Sequence, residues 1–221
     1  MRFLFSSIGK KIQIAFSGLV LCIFLLFHLG NNLTLFLGSD TFNTMVKMLE
    51  SIKPIIRIME ISLLGIVLLH IVNAIYLTKN NQEKILSKYE TGLLTDNSSI
   101  NSRTMILSGT GILLFLIFHL SYIWYSYQGH SSAYDNSTYY TILLQNKFGF
   151  LGHTVTAILY IVGIILIASH LKHGFESALK TFGVVKESKL HFLYNFSILF
   201  WGVIPIGFII IILCIQLGVI K

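Results

Sequence analysis

Eight histidines and one repeated helical pattern are the parts of this sequence able to do chemistry. Ser17-Gly18 opens an apolar run that ends in Phe27-His28-Leu29. The same layout returns 91 residues later, where Ser108-Gly109 leads to Phe118-His119-Leu120. A phenylalanine stands seven residues after the serine in each copy, at Phe24 and Phe115. Eleven residues make three helical turns plus about 20°, so serine and histidine share one face about 16 Å apart. An ionisable side chain in a membrane segment is costly and is a functional hypothesis by default. Two copies in register read as half of a cofactor site made twice.

The elements that must position these residues are membrane spans. The 221 residues are 54% hydrophobic and 11% charged, with a mean hydropathy of +0.77, whereas soluble domains carry about 25% charge. Runs at about 12–37, 55–78, 104–127, 148–171 and 193–217 are each long enough to cross a ~30 Å hydrocarbon core. The expected fold is therefore all-α, a single domain over 1–221 built as a transmembrane bundle of five helices. The N-terminal segment is too long for a signal-peptide core and no small-residue cleavage site follows it. The net charge of +7 follows topology and gives no reason to expect nucleic acid as a partner. Eleven of the sixteen basic residues lie at the N-terminus (Arg2, Lys10, Lys11), after span two (Lys79, Lys84, Lys88, Arg103) and after span four (Lys172, Lys180, Lys186, Lys189). By the positive-inside rule the N-terminus is cytoplasmic and the C-terminus outside. In the first outer loop, Phe42 and Met45 are expected to pack at the membrane surface. The inner loop 79–103 breaks near Gly92 and ends in a Ser/Asn cap for span three. Cys22 and Cys214 stand alone in separate spans and read as small core residues. Pro205 should kink span five, which has no histidine or charge and reads as structural.

Topology sorts the histidines. His28 and His119 lie towards the outer ends of spans one and three, and His70 and His170 towards the inner ends of spans two and four. Two at each depth, all on different helices, suit two haems stacked across the bilayer, because a haem iron takes two axial imidazoles from opposite faces of its ring. Zinc would need four ligands converging on one point. The Ser17 and Ser108 face then falls beside the inner site, where a small residue leaves room for a flat macrocycle and a hydroxyl could bond a propionate. The fourth ligand has alternatives. His70-Ile-Val-Asn73-Ala74 parallels His170-Leu-Lys-His173-Gly174, which favours His170, with His173 one turn on. Hydrogen bonding between helices explains any single intramembrane histidine, but four at paired depths with a repeat exceed it. His130 reads as a loop residue, His191 as a helix-start residue and His153 as a polar group near the outer interface. Lys79, Lys172 and Arg103 could pair with propionates, although the positive-inside rule explains them equally well.

Several motifs together carry a family resemblance. They are Ser6-Ser7-Ile8-Gly9-Lys10-Lys11, His28-Leu29-Gly30-Asn31-Asn32-Leu33, Ser102-Arg103-Thr104-Met105, Phe118-His119-Leu120, and His170-Leu171-Lys172-His173-Gly174 followed by Ser177 and Thr181-Phe182-Gly183. With these the chain resembles the cytochrome b membrane-anchor subunit of succinate dehydrogenase and fumarate reductase, in the form with one five-helix chain and two haems. The resemblance implies two haem b groups, with His28 and His119 as axial ligands of the outer and His70 and His170 of the inner. It implies an FAD-bearing flavoprotein and an iron–sulfur subunit on the cytoplasmic face of a bacterial inner membrane. It also implies electron passage between succinate and a quinone, commonly menaquinone; succinate chemistry would reside in the partner chain. A higher-order oligomer is compatible with it.

Quinone chemistry needs a proton donor or acceptor. Glu50 in the first outer loop and Glu60 early in span two are the outer-side carboxylates for that role. The plain alternatives are a solvated Glu50 and a Glu60 paired with Arg57. Competing functions are the dihaem anchor of a hydrogenase or formate dehydrogenase, and a haem-free proton or metal transporter. Transporters break helices at their sites, and no break is expected around these histidines.

Overall fold

The computed structural model describes residues 3–90, 100–129, 138–183 and 190–221, with backbone alone at 84–90, 100–103, 129 and 190–192. Helices account for the described elements, and no strand occurs among them. The helices are α1 (Ser7–Leu33), α2 (Ser39–Ser51), α3 (Lys53–Glu90), α4 (Ile100–His119), α5 (Tyr125–Gly129), α6 (Tyr139–Leu143), α7 (Thr154–Thr181), α8 (Leu190–Ile198) and α9 (Ile204–Gln216). Short π-helical stretches, Leu120–Trp124 and Leu199–Val203, join α4 to α5 and α8 to α9. Five helical segments are long and apolar enough to cross a membrane: Ser7–Leu37, Lys53–Glu83, Thr104–Gln128, Thr154–Thr181 and Leu193–Gln216. The chain is a multi-pass membrane protein with an all-α bundle. Helices suit these sequences because a backbone in hydrocarbon must satisfy its own polar groups.

The end of the bundle carrying the N-terminus is called the inner end, after the charge pattern of the sequence, and the opposite end the outer. Four helices form two antiparallel pairs, α1 with α3 and α4 with α7, and α1 also packs on α7. The fifth span lies against α7 and α1, where Gly207 lets α9 approach Leu29. Gly111 and Gly163 do the same between α4 and α7, since a Cβ at either would collide with Leu166 or Phe115. Close helix approach through small residues is how membrane bundles gain packing where lipid removes the hydrophobic drive. Outward side chains such as Leu107, Phe27 and Ile61, each about 70% exposed, are left to the lipid.

Three boundaries differ from the sequence reading. Span four starts at Thr154 instead of about 148, because Gly149 takes a left-handed φ of +101° and Gly152 packs onto the carbonyls of Leu144 and Gln145. The apolar residues there lie in a turn and not in a helix, with Leu151 buried and Phe148 exposed. Span two does not end near 78. α3 runs 38 residues to Glu90, about 57 Å at the helical rise, so its last turns project beyond the hydrocarbon core. The expected Gly92 break and the Ser/Asn cap residues to 99 lie outside the described residues, as does His130. The π-helical stretch directly after His119 is also new, since the sequence reads as uninterrupted helix there. Pro205 sits in the first turn of α9, two residues after the second π-helical stretch ends at Val203; the register change there accommodates a residue without an N–H.

The outer loops fold over the bundle end. α2 buries Phe42 and Val46, half-buries Met45, and packs on α6 through the Phe42–Tyr140 ring contact. Asn43 Oδ1 accepts from the Tyr140 backbone N–H at 3.1 Å. At the inner end Gln13 Oε1 accepts from the buried Asn73 at 2.9 Å, its Nε2 donates to the Leu4 carbonyl at 2.8 Å, and Lys10 lies over the Tyr76 ring. These contacts fix α1 to α3 beside His70.

Candidate functional site

The four span histidines meet in two pairs. His28 and His119 have ring centroids 5.9 Å apart with their planes at 83°. His70 and His170 have centroids 6.4 Å apart at 65°. The pairs are separated along α1 by the eleven residues from Ser17 to His28, about 16 Å at the helical rise. Each pair draws one ring from each of two helices, and all four rings are half-buried. His173, the alternative to His170, lies one turn further towards the inner end. His153 caps the start of α7 without a side-chain hydrogen bond, and His191 is described in backbone only.

Each conserved offset within the repeat has a contact that explains it. Ser17 Oγ lies 3.0 Å from His70 Nδ1, and Ser108 Oγ lies 3.2 Å from His170 Nδ1. A Cβ built on Gly18 or on Gly109 would stand 3.5 Å from Cε1 of that same imidazole. Phe24 stacks on His28 at 5.4 Å and 14°, and Phe115 lies against His119 at 6.1 Å and 31°. So Ser-Gly on the first helix of each pair cradles the inner histidine of the second, and the phenylalanine packs the outer histidine of its own helix. The serine hydroxyl, which the sequence offers to a propionate, has partners of its own in the structure. Ser17 Oγ–H donates to the Gln13 and Ile14 carbonyls at 2.7 and 3.0 Å, and Ser108 Oγ–H to the Met105 carbonyl at 3.2 Å.

This geometry fits an axially ligated haem. Metal–nitrogen bonds of ~2 Å on both sides of an iron put two imidazole centroids about 6 Å apart, close to both observed spacings. A ligating histidine directs its second nitrogen at an outer partner. Ser17, Ser108 and, for His119, the Tyr160 hydroxyl at 3.1 Å all sit at Nδ1, so Nε2 is the nitrogen left for a metal. Among the described residues no group of three or more His, Cys, Asp or Glu gathers to hold a metal; the donors come in twos.

Tyr160 and Phe208 were not expected from sequence. Phe208 on α9 lies 5.5 Å from His28, so the fifth span covers the outer pair as well as bracing the bundle. Tyr160 stands ten residues before His170 on α7, about 15 Å along the helix, which is the depth of the outer pair; that spacing was the available signal.

Glu50 and Glu60 line one cavity of about 120 Å³ at the outer end, together with Lys53, Arg57, Tyr127, Gln128 and Tyr139. Glu60 pairs with Arg57 at 2.6 Å, as the plain reading had it, and also accepts from Trp124 Nε1 at 3.1 Å. Arg57 donates to Gln128. Glu50 is not merely solvated: Tyr139 donates its hydroxyl to Glu50 Oε1 at 2.5 Å. Burial first, and the neighbouring carboxylate second, push the Tyr139 phenol above its usual range. Glu60 lies about 15 Å outward of His70 along α3, which brings the cavity to the level of the outer histidines. The Trp124 and Gln128 contacts come from residues on and beyond the π-helical stretch, whose altered register sets where they point.

Lys172 Nζ lies 5.2 Å from the Trp201 ring centroid and Lys79 is exposed; the Arg103 side chain is outside the described residues. Cys22 is buried in the core and Cys214 half-buried, both as free thiols. Compared with known proteins, the chain matches no family model, no curated protein and no solved structure.

Proposed function

We propose that this chain is the dihaem cytochrome b anchor of a succinate:quinone oxidoreductase in a bacterial cytoplasmic membrane. The observation that carries the reading is the pair of histidine pairs, each at the spacing of two axial ligands and at two depths of one bundle. Haem, when bound, supplies a one-electron couple at each depth. His70 and His170 hold the inner position, nearest the face where a flavoprotein and an iron–sulfur subunit would dock. His28 and His119 hold the outer position, with Phe24 and Phe208 excluding lipid and water from one side. Arg57, Glu60, Glu50 and Tyr139 offer charge, hydrogen bonds and exchangeable protons where a quinone headgroup, menaquinone by the family resemblance, would react. Charge moving between the two depths crosses part of the membrane field, whose full drop is worth about 2.3 kcal/mol per elementary charge per 100 mV.

The test is to purify the complex through a tag on this chain and add succinate anaerobically. Co-purifying flavin and iron–sulfur subunits, with succinate reducing a b-type α-band, is the expected result. A b-type band that succinate leaves oxidised would redirect the reading to a dihaem anchor of another respiratory enzyme, such as a hydrogenase or formate dehydrogenase, tested with hydrogen or formate. No b-type band would end the reading and bring forward the transporter.

A further inference from the structure

The hydrogen-bond directions at the inner pair contain more than a fit to haem. A hydroxyl has one proton, and the acceptor nearest to Ser17 Oγ is the Gln13 carbonyl at 2.7 Å, against 3.0 Å for both the Ile14 carbonyl and His70 Nδ1; the proton is assigned to that shortest contact. Ser17 is 1% exposed, so no water substitutes. Its oxygen therefore faces His70 Nδ1 with lone pairs only, and the contact at 3.0 Å is a hydrogen bond only if Nδ1 carries the proton. Ser108, 5% exposed, repeats the arrangement, with the Met105 carbonyl and His170 Nδ1 each 3.2 Å from its Oγ. Both inner histidines are thus held as the tautomer whose Nε2 is bare.

The outer pair is built otherwise. His119 Nδ1 meets the Tyr160 hydroxyl at 3.1 Å, and a phenol can donate or accept at that nitrogen. His28 is packed by Phe24, Phe208 and the His119 ring. The tautomer is dictated by the surroundings at the inner pair alone.

We propose that Ser17 and Ser108 are positioning residues that fix the Nδ1–H tautomer and ring orientation of His70 and His170 and thereby set the inner haem's midpoint potential separately from the outer. This rests on the dihaem reading for the potential, while the tautomer assignment stands on the hydrogen bonds alone. An acceptor at Nδ1–H raises the basicity of Nε2 and favours the ferric over the ferrous ion. No bond is made or broken beyond the iron–Nε2 ligation itself.

The experiment compares Ser17→Ala, Ser108→Ala and the hydroxyl-retaining Ser17→Thr in the full chain by potentiometric titration of the α-bands. Losing one such partner weakens metal binding about 10- to 100-fold. At the lower end of that range, each alanine variant should lose about tenfold of its ferric preference, raising the inner midpoint by about 59 mV. The outer wave should not move, and threonine should restore the wild-type value. Inner and outer waves moving together, or an inner wave unmoved in both alanine variants with two haems bound, would overturn the proposal. The tautomer is read independently by ¹⁵N NMR of histidine-labelled chain in the diamagnetic state. Protonated Nδ1 and bare Nε2 at His70 and His170 are expected, and Nε2–H at either overturns it. A chain that binds no haem but shows bare Nε2 at both would refute the proposed function and leave the tautomer assignment standing.

Discussion

The sharpest perturbation available is at Gly18, because its neighbourhood is known on both sides. A Cβ there stands 3.5 Å from His70 Cε1, already at the ~3.5–4.0 Å optimum for carbon pairs. Gly18→Ala should therefore leave the inner pair intact. The Cβ faces the Cε1–Nδ1 edge of the ring, so any atom beyond Cβ presses on the imidazole itself. Gly18→Val adds carbons about 1.5 Å further out, a length set by an ordinary C–C bond, and the ring can yield only by giving up its Ser17 contact at Nδ1, which turns it from the place where its Nε2 would meet an iron. Overpacking of this kind costs about 1–3 kcal/mol, or roughly 5- to 150-fold in affinity for the group bound there. The assay is a pyridine haemochrome count with redox titration of purified chain. Expected are two haems in wild type and in Gly18→Ala, and one in Gly18→Val, the survivor being the outer. Gly109→Val should reproduce the loss, since the repeat places Gly109 identically against His170. If the valine variants keep both haems, or lose the outer one first, the cradle argument is wrong.

The outer site gives three further expectations. Phe208→Ala should uncover one face of His28 and lower stability by about 3–5 kcal/mol, the usual cost of truncating a packed aromatic, seen as a lower melting temperature in detergent with the inner α-band unchanged. Glu60→Gln should reduce quinone-linked turnover by roughly 100-fold, a typical contribution from proton transfer, with haem content and midpoints unmoved; loss of haem instead would make Glu60 structural. Tyr139 carries a pH prediction. Its phenol holds its proton to higher pH folded than unfolded, where tyrosine titrates near about 10. The folded chain thus binds more protons above that pH, and stability should fall as pH rises past about 10 and be flat below it. Tyr139→Phe should remove that part of the fall, measured as the difference between wild-type and variant denaturation profiles at pH 9 and 11.

Much of this arrangement is legible before folding, for specific reasons. Hydropathy forces the spans, and alternating direction with the histidines' places along them assigns His28 with His119 and His70 with His170. Register in the repeat marks Ser17, Phe24, Ser108 and Phe115. What those residues touch is not legible, because it depends on helix rotation and on which acceptor wins a hydroxyl proton. A carbonyl one turn back is always within reach of a helical serine, and helix rotation decides that Ser17 and Ser108 also meet the Nδ1 of a histidine on the neighbouring helix. Phe208 has no signal, since the fifth span carries no histidine or charged residue to mark the face turned to the site. The start of α7 was misplaced because Phe148 and Leu151 are as apolar as a helix would want, while Gly149 turns the backbone.

The existence of two separate ligand pairs is tested most directly by counting protohaem in purified wild-type, His28→Ala and His70→Ala chains, each checked for folding by helical circular dichroism. Two haems per polypeptide in wild type are expected, with the outer lost in His28→Ala and the inner in His70→Ala, distinguished by their midpoints. No haem in folded wild type, or loss of the same single haem in both variants, would contradict the two-pair arrangement.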